Sequence, residues 1–387
     1  MKRTDVLIVG AGGVGGAFST ILAREPSVSK IVVSDVREDH GKKLVNTCAA
    51  GAYMLGHFPD IEFRKIDLLN KAEKVAEALT EINPRVIMSC TTMLTPWLGM
   101  LLPTNVLMPI YEVAGLGPYV SLHLRLVYRL MQAIKIANLD SFVVNASYAD
   151  VVSYALGKVG LAPTVGGGNL DIIVTLARKA IGEKMNLKPR DVKMYLVTHH
   201  FNNRWFSGGL QGVPHGGPAP YFCKIIANDV DITDSYSKKE LLELLKSTES
   251  KMRLDGHELD TLIASSFIKH VLALLHDERI FTHSPGPGGL PGGYPIRLGW
   301  SGATLELPDG ITKQKAIEIN LEGQRRDGIQ EIRDDGTIVF TEEAYRAVKE
   351  VYNFDCKSFK ISEVDRISEE LLKKINEKIT KHKQLKK

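Results

Sequence analysis

An apolar run, Val6-Leu7-Ile8-Val9, passes directly into Gly10-Ala11-Gly12-Gly13-Val14-Gly15-Gly16, and no other stretch so narrows what the chain can become. The run reads as a buried strand, and the glycines as a tight turn into a helix that begins near Val14. Gly10 lets the backbone reverse, Gly12 lets it approach a pyrophosphate with no Cβ in the way, and Gly15 lets the helix pack close to the strand. At the start of that helix, around Gly13 and Val14, free N–H groups and the helix dipole favour an anion.

Glycine spacing of this kind also arises in flexible loops, so the context decides. A helical stretch from Gly16 to Glu25 leads into a second strand, Lys30 to Ser34, which ends at Asp35. That carboxylate stands where a dinucleotide-binding fold places the acid for the adenosine ribose hydroxyls. A carboxylate repels a 2′-phosphate, so NAD is expected in preference to NADP, although Arg37 is a residue type that accommodates that phosphate. Further strands at Ile61 to Ile66, Arg85 to Cys90 and Ser141 to Asn145 alternate with helices at Lys42 to Ala50, Lys71 to Glu81 and Leu122 to Ala137. The alternation predicts an α/β fold with a doubly wound parallel Rossmann sheet, forming an NAD-binding domain over residues 1–152. Residues 153–387 read as a mixed α+β domain for the substrate. Its helices are expected at Asn169 to Lys184, Glu258 to Leu275, Thr341 to Val351 and Ser362 to Ile379, with strands at Val192 to Thr198 and Pro295 to Leu307.

Composition limits the class of partner. A net charge of +4 is small for 387 residues, and much of the excess lies between Lys381 and Lys387. That favours a small-molecule substrate over nucleic acid, which calls for a basic face. Four cysteines with no C-x-x-C pair suit a reduced, cytoplasmic setting, with Cys90 and Cys223 as buried structural thiols. No signal peptide is expected before the first strand. The uncharged stretch Ser89 to Tyr111 is broken by Pro96, Pro103 and Pro109, so no membrane span is expected there. It suits an apolar cover over a pocket or a subunit contact, and a homodimer or homotetramer is the expected assembly. The loop from Ser284 to Tyr294, rich in Gly and Pro, is either a lid or a rigid turn.

The order of elements resembles the lactate and malate dehydrogenases. The similarity is clearest in Gly168-Asn169-Leu170-Asp171 heading a helix, in Leu187 to Val192, and in the strand ending at His200, and it extends to Val143–Val152 and Tyr294–Pro308. The first ninety residues are equally similar to the nucleotide domain of saccharopine dehydrogenases, in Gly10 to Gly16 and in Ile31 to Asp35. On these motifs the chain is identified as a distant member of the lactate and malate dehydrogenase superfamily, which also contains NAD-dependent glycosidases. The resemblance implies that Asp171 and His200 form a catalytic pair. Physically, a His near the nicotinamide can take the hydroxyl proton as hydride leaves, while a carboxylate orients the ring. Adjacent residues on a strand face opposite ways, so only one of His199 and His200 can face the cofactor, and the gapless match selects His200. Asn202, Asn203 and Arg204 either bind substrate or form a solvated loop.

Departures from the family pattern bear on the substrate. The carboxylate-clamping Arg expected one helical turn after Asp171 is Val174 here, and the nearest Arg on that face is Arg178. The Asn expected near the nicotinamide appears as Ser147, with Asn145 two residues earlier as the candidate. The Cys that holds a metal in the glycosidases falls at Gly168, so no catalytic metal is expected. The reading is an NAD-dependent oxidoreductase acting on an alcohol or amine carbon of a small polar metabolite. The alternatives are an NAD-dependent glycosidase or lyase using transient oxidation, and a non-catalytic NAD-binding sensor.

Overall fold

The runs Val6–Val9, Ile31–Val33 and Val86–Met88 are apolar on both faces, so their sheet must be covered on both sides. The structure, a computed structural model, describes residues 3–94, 101–206, 217–237, 239–244 and 257–385. Its first half runs β1 (Thr4–Val9), α1 (Gly13–Leu22), β2 (Lys30–Asp35), α2 (Glu38–Met54), β3 (Asp60–Lys65), α3 (Ala72–Ile82) and β4 (Pro84–Ser89). It continues through α4 (Thr104–Tyr111), α5 (Val120–Ile136), β5 (Phe142–Asn145), α6 (Ala149–Lys158) and β6 (Val165–Gly166). The six strands form one parallel sheet in the order β3-β2-β1-β4-β5-β6. This is the doubly wound arrangement expected from the sequence. The sixth strand comes from beyond residue 152. Of the apolar stretch Ser89 to Tyr111, residues 95–100 lie outside the described residues.

Alternation along the strands divides the core. Leu7 and Val9 of β1, Val32 of β2 and Ile87 of β4 join α3, α5 and the C-terminal helices on one face. Val6, Ile8, Ile31, Val33, Val86 and Met88 face the other way, against α1, α2 and elements from the second half. Burying large apolar side chains on both faces stabilises the sheet by roughly 1.5–3 kcal/mol per residue relative to exposure.

The second half contains α7 (Asn169–Met185), β7 (Val192–Val197), β8 (Phe222–Ala227), β9 (Val230–Asp231), α8 (His257–His276), β10 (Ile280–Pro285), β11 (Gly293–Gly299) and β12 (Gly302–Leu305). After these come α9 (Lys313–Arg326), β13 (Ile329–Ile332), β14 (Thr337–Phe340), α10 (Glu342–Tyr352), β15 (Ser358–Lys360) and α11 (Val364–Leu385). Three small sheets result, β7-β8-β9, β10-β11-β12 and β13-β14-β15, all antiparallel. Helix α8 is apolar and long enough to cross a membrane by composition, yet it lies along α1 with Phe267, Val271 and Leu274 in the core. The Gly- and Pro-rich segment resolves into a rigid turn between β10 and β11. Gly286 N–H donates to Gly292 O at 2.7 Å, Gly288 N–H to Thr164 O at 3.0 Å, and Gly292 N–H to Asp150 O at 3.0 Å. Those bonds tie the turn to α6 and to the residue that leads into β6.

Candidate functional site

Strands β1 and β4 are neighbours whose following helices cover opposite faces, so a crevice opens beyond their carboxyl ends. Cys90 N–H donates to Val9 O and Gly10 N–H to Ser34 O, both at 2.8 Å, which aligns the ends of three strands. Gly10 has φ +98°, and a Cβ there would meet Cys90 O at 2.9 Å and Thr91 Cγ2 at 3.1 Å. A Cβ on Gly15 would collide with the Gly10 carbonyl oxygen, so helix and strand touch through bare backbone. A Cβ on Gly13 would collide with the Asp260 carboxylate, where α8 crosses the turn. Gly12 differs from all of these. It is the N-cap of α1 with no side-chain cap, and no described residue lies within 4 Å of its Cβ position, which leaves room for a phosphate. Val14, half-buried, follows in the first turn.

Asp35 ends β2 beside this turn, and its side chain is only 7% exposed. Ala11 N–H donates to Oδ2 at 2.8 Å, while Arg37 donates to Oδ1 from its backbone N–H at 2.8 Å and from Nε at 3.0 Å. Burial alone would raise its pKa, but the Arg37 hydrogen bonds, the Ala11 N–H and the guanidinium charge together hold the carboxyl below its ordinary range. The acid is therefore ionised and already bonded to the protein.

A second polar group gathers beyond β4 and β5. His123, on α5, places Nδ1 3.1 Å from both Thr92 Oγ1 and Ser147 Oγ, and its buried Nε2 has no hydrogen-bond partner among the described residues. Tyr148, in the left-handed region at φ +43°, packs edge-on against His123 at 5.6 Å and against His200 at 5.8 Å between ring centroids. Its hydroxyl donates to Asp327 Oδ2. Asp150 Oδ1 accepts His200 N–H at 3.0 Å. Burial, with Asp327 nearby, pushes the Asp150 carboxyl up to about 7, while burial and the neighbouring His200 push the His123 imidazole down to about 4. The group therefore pairs a neutral imidazole with one carboxyl of raised proton affinity, that of Asp150, which is suited to exchanging a proton near neutral pH. Among the described residues, no group of three or more His, Cys, Asp or Glu is placed to hold a metal ion.

Several residues singled out in the sequence are placed elsewhere than expected. Asp171 is 6% exposed in the first turn of α7, and its carboxylate pairs with Lys269 Nζ at 2.6 Å and with Ser266, not with His200. Burial would raise its pKa, but the Lys269 charge dominates and holds it low, which is what a buried carboxylate requires. Asn145 is fully buried, with Nδ2 donating to Ser147 O and Oδ1 accepting Ser147 N–H, so its amide closes a local turn rather than facing a cofactor. Arg178 donates from Nε to Val192 O at 2.7 Å and to Pro189 O at 3.1 Å, pinning the connection into β7. Asn202 is likewise fully buried, clipped to Ala219 in both directions and to Thr198. His199 turns towards α9: a Cβ on Gly323 would collide with it, and its Nδ1 accepts Phe201 N–H at 3.1 Å. Asn203 opens a single helical turn, Asn203–Phe206, and the side chain of Arg204 lies outside the described residues.

Sequence reasoning missed His123, Tyr148, Asp150 and Asp327. The available signal was His123 itself, an imidazole set among the leucines of an otherwise apolar helix face.

Solved dehydrogenases superpose on this fold. Lactate dehydrogenase from Eimeria maxima, solved with NADH and oxamate, is 16% identical and superposes with a TM-score of 0.55 over 82% of this chain and 90% of that one. Lactate dehydrogenase from Cryptosporidium parvum is 15% identical, with a TM-score of 0.55 over 96% and 98% of the two chains. Malate dehydrogenase from Plasmodium falciparum is 14% identical, with a TM-score of 0.53 over 83% and 95%. No family model and no curated protein matches the sequence. The chain has the fold of the lactate and malate dehydrogenases.

Proposed function

We propose that this chain is a nicotinamide-dinucleotide-dependent oxidoreductase, acting on an alcohol or amine carbon of a small polar metabolite, with NAD as cofactor. The observation that carries the reading is the open cradle at Gly12, between the packed glycines 10 and 15 and the buried acid of β2. The solved dehydrogenases of this fold that contain NADH support it. Bound there, the dinucleotide supplies the hydride acceptor. Gly12, Gly13 and Val14 would hold the pyrophosphate through backbone N–H groups, with Asp35 and Arg37 at the ribose end. His200 would accept the hydroxyl proton, held in place through its backbone by Asp150 and edge-on by Tyr148. Asp171 has no part in this, because Lys269 occupies it.

The test is NADH titration by fluorescence with wild type and Gly12→Val. The valine methyls would fill the open space above the turn without touching the core, so the variant should fold normally and lose NADH binding. Unchanged NADH affinity in Gly12→Val would refute the cradle.

A further inference from the structure

The ribose end of the crevice presents a cation. Asp35 is at the right place to bond ribose hydroxyls, but its oxygens already receive Ala11 N–H, Arg37 N–H and Arg37 Nε, with Arg37 Nη2 adding a contact at 3.3 Å. Four donors match the roughly four lone-pair sites of a carboxylate. The Arg37 side chain is 57% exposed, against 7% for Asp35. Its Nη1 makes no hydrogen bond to any described residue, and Nη2 also approaches Ala11 O at 3.5 Å. His40 donates from Nε2 to Ala11 O at 2.8 Å, which places an imidazole on the same corner. The neighbouring Glu38 is bridged by Lys42 at 2.7 Å and by Lys65 at 4.0 Å, while Asp39 is exposed in the first turn of α2.

Resting on the dinucleotide reading above, we propose that Arg37 accepts a 2′-phosphate, so that the chain binds NADP as well as NAD. A half-exposed guanidinium whose Nη1 bonds no described residue can add charge-assisted bonds to phosphate. The repulsion that an exposed Asp35 would exert is screened, because the same guanidinium lies over it and compensates its charge. Free ribose hydroxyls, by contrast, must displace one of the existing donors to reach the carboxylate.

Parallel titrations with NADH and NADPH test this in wild type, Arg37→Ala and Arg37→Lys. NADPH should bind wild type within tenfold of NADH, and Arg37→Ala should lower the NADPH-to-NADH affinity ratio by at least tenfold, with Arg37→Lys restoring part of it. NADPH affinity should also fall more steeply with salt than that of NADH. Wild type binding NADPH more than tenfold more weakly than NADH would overturn the proposal, as would an unchanged ratio in Arg37→Ala. Binding of neither dinucleotide would overturn the oxidoreductase reading and this inference with it, whereas NADH binding alone would sink only the inference.

Discussion

Lowering the pH from 7 to 5 should unfold this protein at an unusually mild acidity, because four imidazoles are buried in neutral form. Burial pushes His123 down to about 4, His199 to about 3, His270 to about 4 and His283 to about 3. Two of them are fixed neutral by backbone donors: Phe201 N–H points at His199 Nδ1, and Leu196 N–H at His283 Nε2, at 3.2 Å. A proton on either nitrogen would face another proton. Unfolded histidine titrates near 6.5, so below that pH the unfolded chain binds protons that the native state refuses, and acid favours unfolding. At pH 5 each group has lost about 1.5 pH units of this advantage, or about 2 kcal/mol, and the four together about 8 kcal/mol. Asp150 acts in the opposite sense. With its carboxyl pushed up to about 7, the native state holds a proton that the unfolded chain binds only near 4, which returns about 2 kcal/mol on the way to pH 5. Asp35 and Asp171, held low, stay ionised throughout this window. The net loss, on the order of 6 kcal/mol, rivals the whole stability of an ordinary domain. Urea denaturation followed by circular dichroism at pH 7, 6 and 5, at constant ionic strength, measures it. His199→Asn keeps an acceptor for Phe201 N–H and should flatten the profile by about 2 kcal/mol. A stability that changes by less than about 1 kcal/mol between pH 7 and 5 would refute the linkage.

Three further outcomes follow from local geometry. Gly15→Ala sets a Cβ against the Gly10 carbonyl and should destabilise by about 2 kcal/mol or more in thermal melts, whereas Gly16→Ala, with nothing within 4 Å, should stabilise α1 by up to about 1 kcal/mol. Lys269→Met strands the buried Asp171 carboxylate and should cost about 2 kcal/mol, reduced from a fully buried pair because Lys269 is partly exposed; the double variant with Asp171→Leu should recover most of it. Asp150→Asn keeps an acceptor for His200 N–H and should be more stable than wild type at pH 8 but equal to it near pH 4, checked by the same urea titrations.

How much of this could be read from the sequence divides along the range of the interactions. The Rossmann half was legible because its signals are local: apolar runs, helical periods, and a glycine turn twenty residues before its acid. Strand β6 was not, since two residues in a glycine-rich stretch carry no period and its place is set by pairing with β5. In the second half the expected strands at Val192–Thr198 and Pro295–Leu307 fall on β7 and on β11 with β12, whereas the sheet β13-β14-β15 and the edge strand β9 escaped, their strands being two to four residues long with burial supplied by distant helices. At the site, glycine roles followed from local backbone geometry. The partner of Asp171 did not, because Lys269 lies 98 residues away on a helix whose path over α7 no spacing encodes. Asn145 and Arg178 are candidates from the family pattern and Asn202 from a polar cluster, yet each serves backbone groups nearby. A buried turn needs such donors and acceptors as much as a substrate does.

The reassignment of Asp171 leads to a prediction opposite to the one the family resemblance implies. If Asp171 oriented the His200 ring, Asp171→Asn would lower the affinity of that imidazole for its proton, and the acid limb of the oxidative rate would move to lower pH. In the structure the carboxylate is bonded to Lys269 and Ser266, so Asp171→Asn should leave that limb in place, whatever it does to stability. His200→Ala should lower turnover by roughly 10² to 10⁴ while NADH affinity holds, the range of a positioned acid or base. His199→Asn should not share the effect, since His199 packs against Gly323 of α9. Tyr148→Phe provides the third comparison: it keeps the edge-on ring against His200 and removes only the hydroxyl bonded to Asp327. Turnover should fall less than in His200→Ala, and its pH dependence should change, because losing the Tyr148 hydroxyl alters the charge that Asp327 presents to Asp150. Steady-state rates against pH for the four variants, once a substrate is in hand, decide the matter. A limb that shifts in Asp171→Asn and not in Tyr148→Phe would restore the Asp171–His200 pair and remove the Tyr148 group from the chemistry.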